Sequence, residues 1–245
     1  STERNAVVGA RAAKLGLDVI VTDHHIVNAE LPGAAAAINP HHPGEPYPFA
    51  DLAGVGVAYK LAEAVLLEAD IETALDGESL LDFVALGTVA DVVPLRGENR
   101  WLVREGLQRL NNSPRTGMAA LIGASGLEPG SVTSRDLAFR LGPRINAAGR
   151  MRDAGIGLEL LLESDADQAA GQAAVLDDLN RQRQRATEGV LGEISTTAGG
   201  TGPIVAHGAD WPLGVLGLVA GRLASATGRP AFVSSAEAGE IRGSA

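Results

Sequence analysis

The sequence predicts an α/β protein: a domain built on a parallel sheet, a long connecting helix, and the start of a second, smaller α/β domain. Three observations predict this class. A helical pattern ends at Gly16 and is followed at once by a run rich in β-branched residues, 17–21, which is typical of a buried parallel strand. The order helix–strand–strand–helix–helix up to about residue 90 is typical of α/β layers. Further on, Leu and Ala recur at helical spacings throughout residues 156–196.

The first half of the chain supplies the sheet and its helices. The first helix is predicted over residues 3–16, and a second short strand over 35–38. Residues 40–48 hold four prolines and are predicted to form a loop. Helices are then expected over residues 53–70 and 80–90. Because ligands of open α/β sheets bind at the carboxyl ends of the strands, side chains that follow the two strands are the first candidates for a site.

The middle of the chain is predicted to be helical. Residues 100–122 have a helical pattern that is broken at 111–114, where the sequence reads Asn-Asn-Ser-Pro. The long connector over residues 156–196 follows later. Within it, Ser164 and Asp167 have the spacing of a weak capping box, which could restart the helix.

A Gly- and Thr-rich segment, residues 196–202, is the best candidate for a linker. Beyond it we expect a strand, a helix, a strand and a partner strand, over residues 203–207, 213–226, 230–235 and 239–242. The predicted organisation is a domain over residues 1–155, a helical connector over 156–196 and the start of a second domain over 203–245. Since the first domain begins with one helix and one strand, and the second is short for a domain, we expect a fragment of a longer protein.

Composition excludes several classes of protein. The chain has 245 residues, 45% of them hydrophobic and 20% charged, which is ordinary for a globular protein and excludes a disordered or collagen-like chain. There is no Cys, which excludes a disulfide framework, a thiolate metal site and a Cys nucleophile. No apolar run approaches the roughly 20 residues of a membrane span, so we expect a cytoplasmic protein with no membrane partner. The net charge of −10 argues weakly against a nucleic-acid partner.

Two positions predict a metal or catalytic site. Asp23, His24 and His25 come directly after the first strand, and neutral imidazole and carboxylate are both ligands for ions such as Mn²⁺, Zn²⁺ or Mg²⁺. Asp91 ends the apolar stretch 83–90 and precedes a second apolar run, where an unpaired carboxylate would be costly. Two simpler interpretations stay open: adjacent histidines also occur by chance, and an Asp at a helix end can simply face water.

Arginine is concentrated in residues 134–152, which contain five Arg and a single Asp. Arg144, Asn146 and Arg150 supply donors suited to phosphate oxygens. Ion pairs within the domain are the alternative. A second run at residues 181–185, with Arg at every other position, is predicted to be a solvated surface, because side chains two apart fall on different helix faces.

The other motifs give little or no information about function. The pair His41-His42 lies in the Pro-rich loop, where no strand fixes it, and we expect no ligand role for it. Residues 241–245 form a small-residue segment with one Arg and one hydroxyl. The sequence contains no phosphate-binding loop of an NTPase, no complete dinucleotide fingerprint and no Gly-x-Ser-x-Gly elbow. The sequence therefore does not look like that of an NTPase, a dinucleotide enzyme or an α/β hydrolase.

Together these residues resemble the DHH phosphoesterase superfamily, and within it the RecJ family of single-strand-specific exonucleases. The segments that carry the resemblance are residues 21–25, 52–58, 85–95 and 141–150. The resemblance implies a DHH domain, a long connecting helix and a DHH-associated domain that faces the first across a cleft.

The resemblance also assigns roles to site residues. His24 and Asp91 match metal ligands, His25 matches the residue that contacts the scissile phosphate, and Asp23 matches a supporting carboxylate. Five further residues match positions that hold the nucleic-acid backbone: Arg144, Asn146, Arg150, Arg242 and Ser244.

The implied reaction is 5′-to-3′ hydrolysis of single-stranded DNA at a two-metal centre with Mn²⁺ or Mg²⁺, in DNA repair and recombination. A helicase and a single-strand-binding protein are candidate partners. The family's first two aspartate-rich motifs, which precede the DHH triplet, are absent, so we expect this chain to be inactive alone.

Alternatives remain at this stage. One is a DHH phosphodiesterase acting on short oligoribonucleotides or phosphorylated nucleotides, or a related inorganic pyrophosphatase. Another is a non-catalytic scaffold that binds nucleic acid. The arginine-rich segment and the long connector favour the exonuclease.

Overall fold

A computed structural model describes residues 8–9, 11–27, 33–42, 44, 47–68, 77–195, 201–237 and 239–245. The chain divides into two compact units. The first falls within residues 1–114 and 128–142, and the second within 115–127 and 143–245. These units and the domains predicted above are different divisions of the chain, and the domain bounds at 155, 196 and 203 stay a prediction.

The first unit contains a two-stranded parallel sheet, in which β1 (Ile20–Thr22) pairs with β2 (Ala36–Ile38). Residues 8–9 and 11–14 ahead of it are helical, and the rest of the helix predicted over 3–16 is outside the described residues up to residue 7 and at residue 10. The parallel strand is confirmed, but the prediction that it is buried is wrong. Ile20 is 61% exposed, Val21 is half-buried and Thr22 is exposed, so neither face of β1 is fully covered by the described residues.

Three helices complete most of this unit: α1 (Gly54–Glu68), α2 (Leu81–Ala90, after a 3₁₀ turn at Gly77–Leu80) and α3 (Gly97–Asn112). Seven of the ten residues of α2 are buried, because α1 and α3 both pack against it. The approach of α3 is close: a Cβ on Gly106 would lie 2.1 Å from the carbonyl oxygen of Leu81. The predicted helix over 80–90 is therefore the central helix of the unit.

The arginine-rich segment is helical, which the sequence did not predict. After α4 (Thr116–Ala124), a short helix at Ser134–Asp136 leads through a π-helical turn at Leu137–Leu141 into α5 (Gly142–Met151). A capping box starts it: Asp136 N–H donates to Thr133 Oγ1 at 3.3 Å, and Thr133 N–H donates to Asp136 Oδ2 at 3.0 Å. Pro143 directly follows the π-helical turn, inside a helical run that is continuous from residue 134 to residue 151.

The connector of the second unit consists of two helices, α6 (Gly155–Leu162) and α7 (Ala166–Ser195). The helix restarts where predicted, but the capping residue is Asp165 rather than Ser164. Asp165 Oδ1 accepts a hydrogen bond at 2.9 Å from the N–H of Gln168. The N–H groups of Ser164 and Asp165 are in turn held by Glu163 Oε1.

A second sheet follows, of order β3-β4-β5, with β3 (Ile204–Gly208) parallel to β4 (Ala231–Glu237) and β5 (Glu240–Ser244) antiparallel to β4. Helix α8 (Leu213–Thr227) connects β3 to β4 and packs on α7 through an apolar core. That core includes Val190, Ile194, Ile204, Val215, Val219 and Val233. The predicted strand–helix–strand–strand order is confirmed, whereas residues 196–200 of the predicted linker lie outside the described part of the chain.

Among the described residues, no helix combines the length and the apolar character that crossing a membrane would require.

Candidate metal centre

The Asp-His-His triplet lies where the chain leaves the sheet of the first unit. Asp23 N–H donates to the carbonyl of Ile38 at 3.0 Å, which extends the pairing of β1 with β2 by one residue. Asn39, directly after β2, donates from Nδ2 to the carbonyl of His25 at 3.0 Å. The two segments that leave the sheet are thus tied to each other, and this fixes the backbone of the triplet.

The carboxylate of Asp23 organises the triplet. Its Oδ1 accepts from the N–H groups of His24 and His25 at 2.8 and 3.2 Å and lies 2.6 Å from His25 Nδ1. Partial burial by itself raises the pKa of the Asp23 carboxyl, but these hydrogen bonds from His25 and His24 outweigh burial, so the pKa lies below its ordinary value. A carboxylate on Nδ1 orients the His25 ring and, in the neutral ring, leaves the lone pair on Nε2.

His24 meets Asp91 at the same place. His24 Nε2 lies 3.5 Å from Asp91 Oδ2, and Asp91 is the capping residue at the carboxyl end of α2. Two ligands that share an ion at about 2.1 Å each lie no more than about 4.2 Å apart, so these two atoms can reach one ion. The structure therefore brings together the four residues that the sequence singled out in this half of the chain.

The donor set fits a divalent cation. One ligand atom from each of Asp23, His24 and His25 lies within 4.8 Å of the others, and Asp91 adds a carboxylate beside His24. Carboxylate oxygen and imidazole nitrogen suit Mn²⁺, and the carboxylates also suit Mg²⁺.

Close helix packing places Asp91. A Cβ on Gly87 would lie 2.7 Å from Val55 Cγ1, so α1 and α2 approach closely only because residue 87 is glycine. At the start of α1, Gly54 lies against the His24 ring, where a Cβ would be 3.4 Å from His24 Cδ2. The same two helices thus position both His24 and the end of α2.

The backbone after Asp91 is strained. Val92 has φ of +62°, which costs a β-branched residue about 1–2 kcal/mol, and its side chain is 86% exposed. The following segment is held by Asn99, whose buried Nδ2 donates to the carbonyls of Pro94 and Asp51 at 3.1 and 2.7 Å. This bracing fixes the turn that begins at Asp91.

Sequence reasoning missed Asn39 and Asn99. Asn39 gave a usable signal, a polar side chain directly after a predicted strand, whereas nothing in the helical pattern marked Asn99.

The other histidine pair, His41-His42, takes part in local hydrogen bonds. His41 N–H donates to Asn39 Oδ1 at 2.8 Å and His42 Nδ1 accepts from Gly44 N–H at 3.1 Å. No candidate metal cluster of the described residues includes either histidine.

The predicted phosphate-contacting residues lie in the second unit, and Arg144 is already paired there. Its Nη2 and Nε lie 2.9 and 3.0 Å from Asp177 Oδ1, and Asp177 also binds Arg181. The alternative of an ion pair within the domain therefore holds for Arg144. Asn146 and Arg150 are exposed, and Arg150 Nη1 donates to the carbonyl of Gly214 at 3.2 Å.

The other two residues lie on β5. Arg242 pairs with Glu240 at 3.2 Å and with Glu237 at 3.6 Å. Ser244 is half-buried, and its Oγ would lie 3.2 Å from a Cβ on Gly217. A role in binding phosphate stays a prediction for all five residues of the second unit.

Comparison with known proteins identifies the family. Residues 2–88 match the DHH family, N-terminal domain. The chain is 42% identical over 247 residues to the single-stranded-DNA-specific exonuclease RecJ of Bacillus subtilis, and this match covers 98% of the chain. The match to the DHH family model thus covers residues 2–88, and the likeness to RecJ covers nearly the whole chain. The RecJ exonuclease of Escherichia coli is a further relative, 37% identical over 95% of the chain.

Solved structures extend the DHH-family likeness through both units. Exonuclease RecJ bound to manganese matches 95% of the chain with a TM-score of 0.83 and 34% identity, and the chain covers 58% of that protein. RecJ from Thermus thermophilus in complex with Mn²⁺ matches 94% of the chain, with a TM-score of 0.82 and 34% identity over 35% of that protein. The predicted fold class is confirmed. The chain spans 30% of the length of the Bacillus subtilis relative and 44% of the Escherichia coli one.

Proposed function

We propose that this chain is part of a metal-dependent exonuclease that hydrolyses single-stranded DNA in the 5′-to-3′ direction, in DNA repair and recombination. The observation that carries the proposal is the approach of His24 Nε2 to Asp91 Oδ2, 3.5 Å apart beside the Asp23–His25 pair. Support comes from the relatives, which are named single-stranded-DNA-specific exonucleases, and from the related structures that hold Mn²⁺ or Mg²⁺.

Each residue of the metal centre has a defined part in the proposed reaction. His24 and Asp91 would hold the divalent cation. When bound, Mn²⁺ or Mg²⁺ polarises a phosphodiester and lowers the pKa of a bound water. His25, held at Nδ1 by Asp23, would donate from Nε2–H to an oxygen of the scissile phosphate in its protonated form, in which both ring nitrogens donate, and Asp23 keeps the ring in that orientation.

The residues of the second unit would hold the DNA backbone. Arg144 carries a planar fork that binds a carboxylate now and could bind a phosphate instead, in exchange for Asp177. Asn146 and Arg150 are exposed on the same helix, and Arg242 and Ser244 lie on β5. Contacts of this kind position the strand and carry no sequence information.

We infer the partners and the location from the proposed substrate alone. A helicase would supply single strands, a single-strand-binding protein would compete for them, and a cytoplasmic location is part of the same proposal.

A chimera tests the function. In the Bacillus subtilis relative, the stretch that matches this chain is replaced by the chain itself, and release of labelled mononucleotides from 5′-labelled single-stranded DNA is followed with Mn²⁺. We expect release from the 5′ end that Asp91→Asn reduces by at least about a hundredfold, because one ligand of the ion is lost. The His42→Asn variant, altered in the loop outside the cluster, should keep the activity.

Two outcomes would contradict the proposal. One is a folded chimera that binds Mn²⁺ but leaves single-stranded DNA intact. The other is a chimera that degrades RNA of the same sequence and spares the DNA, which would point to an oligoribonucleotide phosphodiesterase.

A further inference from the structure

The second unit holds three arginines on three helices, Arg150 at the end of α5, Arg183 in α7 and Arg222 in α8, and the charges of Arg150 and Arg222 act on Arg183. Residues next to them, or one turn away, pack into one apolar core, and these are Met151, Ala186 and Leu223. The positions of the three side chains are therefore set by the packing of the unit.

Arg183 has no ion-pair partner among the described residues. Its side chain is half-buried, and its Nε is buried without a hydrogen-bond partner within the described part of the chain. Burial lowers the pKa of the Arg183 guanidinium, and the nearby charges of Arg150 and Arg222 lower it further. A buried donor with no acceptor, facing two like charges, is an unfavourable arrangement unless an anion completes it.

The neighbours of Arg183 do not supply that anion. Arg150 donates to a neutral acceptor, the carbonyl of Gly214. Arg222 pairs with Glu188, whose side chain is 67% exposed. Among the described residues, Glu188 is therefore the one carboxylate that pairs with any of these three arginines, and the cluster keeps a net positive charge.

Sequence reasoning treated residues 181–185 as a solvated surface, which is wrong for Arg183. Arg183 shares a helix face with Thr187, Val190 and Ile194, which are all buried, and this spacing turns its side chain inward. Arg181, in contrast, pairs on the surface with Asp177 and Asp178.

We propose that Arg150, Arg183 and Arg222 form a binding site for a phosphate group. Phosphate offers several acceptor oxygens and a negative charge, and guanidinium forks bind it in two-pronged geometry. The phosphate can come from the backbone of single-stranded DNA or from free phosphate. The assignment to the DNA backbone rests on the proposed function, in which Arg150 already contacts DNA, but binding by Arg183 and Arg222 needs neither hydrolysis nor the metal centre, so it can be tested without metal.

Binding to the unmodified chain is measured with EDTA present. Fluorescence anisotropy follows a labelled single-stranded 15-mer over a range of salt concentrations, and calorimetry follows inorganic phosphate. We expect Arg183→Gln to weaken oligonucleotide binding about tenfold. It should also reduce the slope of log affinity against log salt by about 0.7, since one phosphate contact is lost.

The control is Arg185→Gln, which removes the same charge from an exposed position two residues away on the same helix. It should leave both measurements nearly unchanged. Glu188→Gln tests the opposite direction, because it frees Arg222 and should tighten binding. If circular dichroism shows that Arg183→Gln does not fold, the effect of Glu188→Gln on binding still tests the phosphate site.

The outcomes separate the phosphate sources. Weaker binding of both phosphate and oligonucleotide supports a site for phosphate in general, and weaker binding of the oligonucleotide alone supports a site for the DNA backbone. Equal effects of Arg183→Gln and Arg185→Gln, or no tightening by Glu188→Gln, would overturn the proposal.

Discussion

The metal centre of the first unit and the arginine cluster of the second satisfy their polar groups in different ways. Around Asp23 the partners are local: one carboxylate oxygen serves two backbone N–H groups and a ring nitrogen within two residues. Around Arg183 the neighbours come from helices far apart in sequence, and its Nε finds no acceptor among the described residues. Local bonding pre-organises the first site, whereas the second is left incomplete.

This difference predicts how each site depends on the rest of the fold. The backbone of the Asp-His-His triplet is held by a strand end and a few hydrogen bonds, and only the His24 ring and Asp91 depend on the packing of α1 and α2. The arginine cluster needs α5, α7 and α8 to pack correctly before it exists at all. Disturbing helix packing in the second unit should therefore remove the arginine cluster and spare the triplet.

Gly214→Ala has the largest expected effect on the difference between the two sites. A Cβ at this position would lie 2.0 Å from the carbonyl oxygen of Arg150, so α5 and α8 must separate. We expect a loss of about 3 kcal/mol in the free energy of unfolding, measured by urea denaturation, with weaker DNA binding and unchanged Mn²⁺ affinity.

Gly221→Ala in the same helix is the matched control. A Cβ there meets nothing within 4 Å, so the variant should gain about 0.5–1 kcal/mol. Equal stability of the two variants would show that the contact between α5 and α8 does not hold the second unit together.

Asp23→Asn tests the same difference at the metal centre. It removes the charge that orients His25, and loss of such a supporting carboxylate lowers metal affinity about tenfold or more. Mn²⁺ binding followed by electron paramagnetic resonance should show this, while the salt dependence of DNA binding stays the same. Asp18→Asn, at an exposed position just before β1, is the control. A similar Mn²⁺ affinity in the two variants would exclude Asp23 from the metal centre.

Features that depend on local sequence could be predicted, whereas features that depend on long-range packing could not. The strand ends, α2, the strand–helix–strand–strand order and the position of Asp-His-His were all readable, because each depends on spacing within a short stretch. The meeting of His24 with Asp91 did not follow from spacing alone. It depends on Gly87 allowing α1 and α2 to touch, and a glycine inside a helix does not reveal which residue it faces.

The sequence said least about the arginines. Whether Arg144 binds Asp177 or a phosphate, and whether Arg183 points inward, depends on partners that lie more than 30 residues away or on the opposite helix face. Charge counts along the chain located the arginine-rich segment but could not pair its members. The sequence analysis assigns no helix to residues 134–151, whereas the capping box at Thr133 starts a helix there.

The smallest effect we predict is a pH dependence that belongs to the first unit. Hydrogen bonds to its carboxylate keep the pKa of Asp23 below its ordinary value in the folded chain. A depressed carboxyl pKa adds stability that is present above the ordinary value of about 3.9 and is lost as the pH falls through the folded-state pKa. The unfolding free energy of the wild type should therefore fall more steeply below about pH 4 than that of Asp23→Asn. Parallel acid denaturation curves would mean that the hydrogen bonds from His24 and His25 do not stabilise the ionised carboxylate, and the local bonding that distinguishes the metal centre from the arginine cluster would lose its energetic basis.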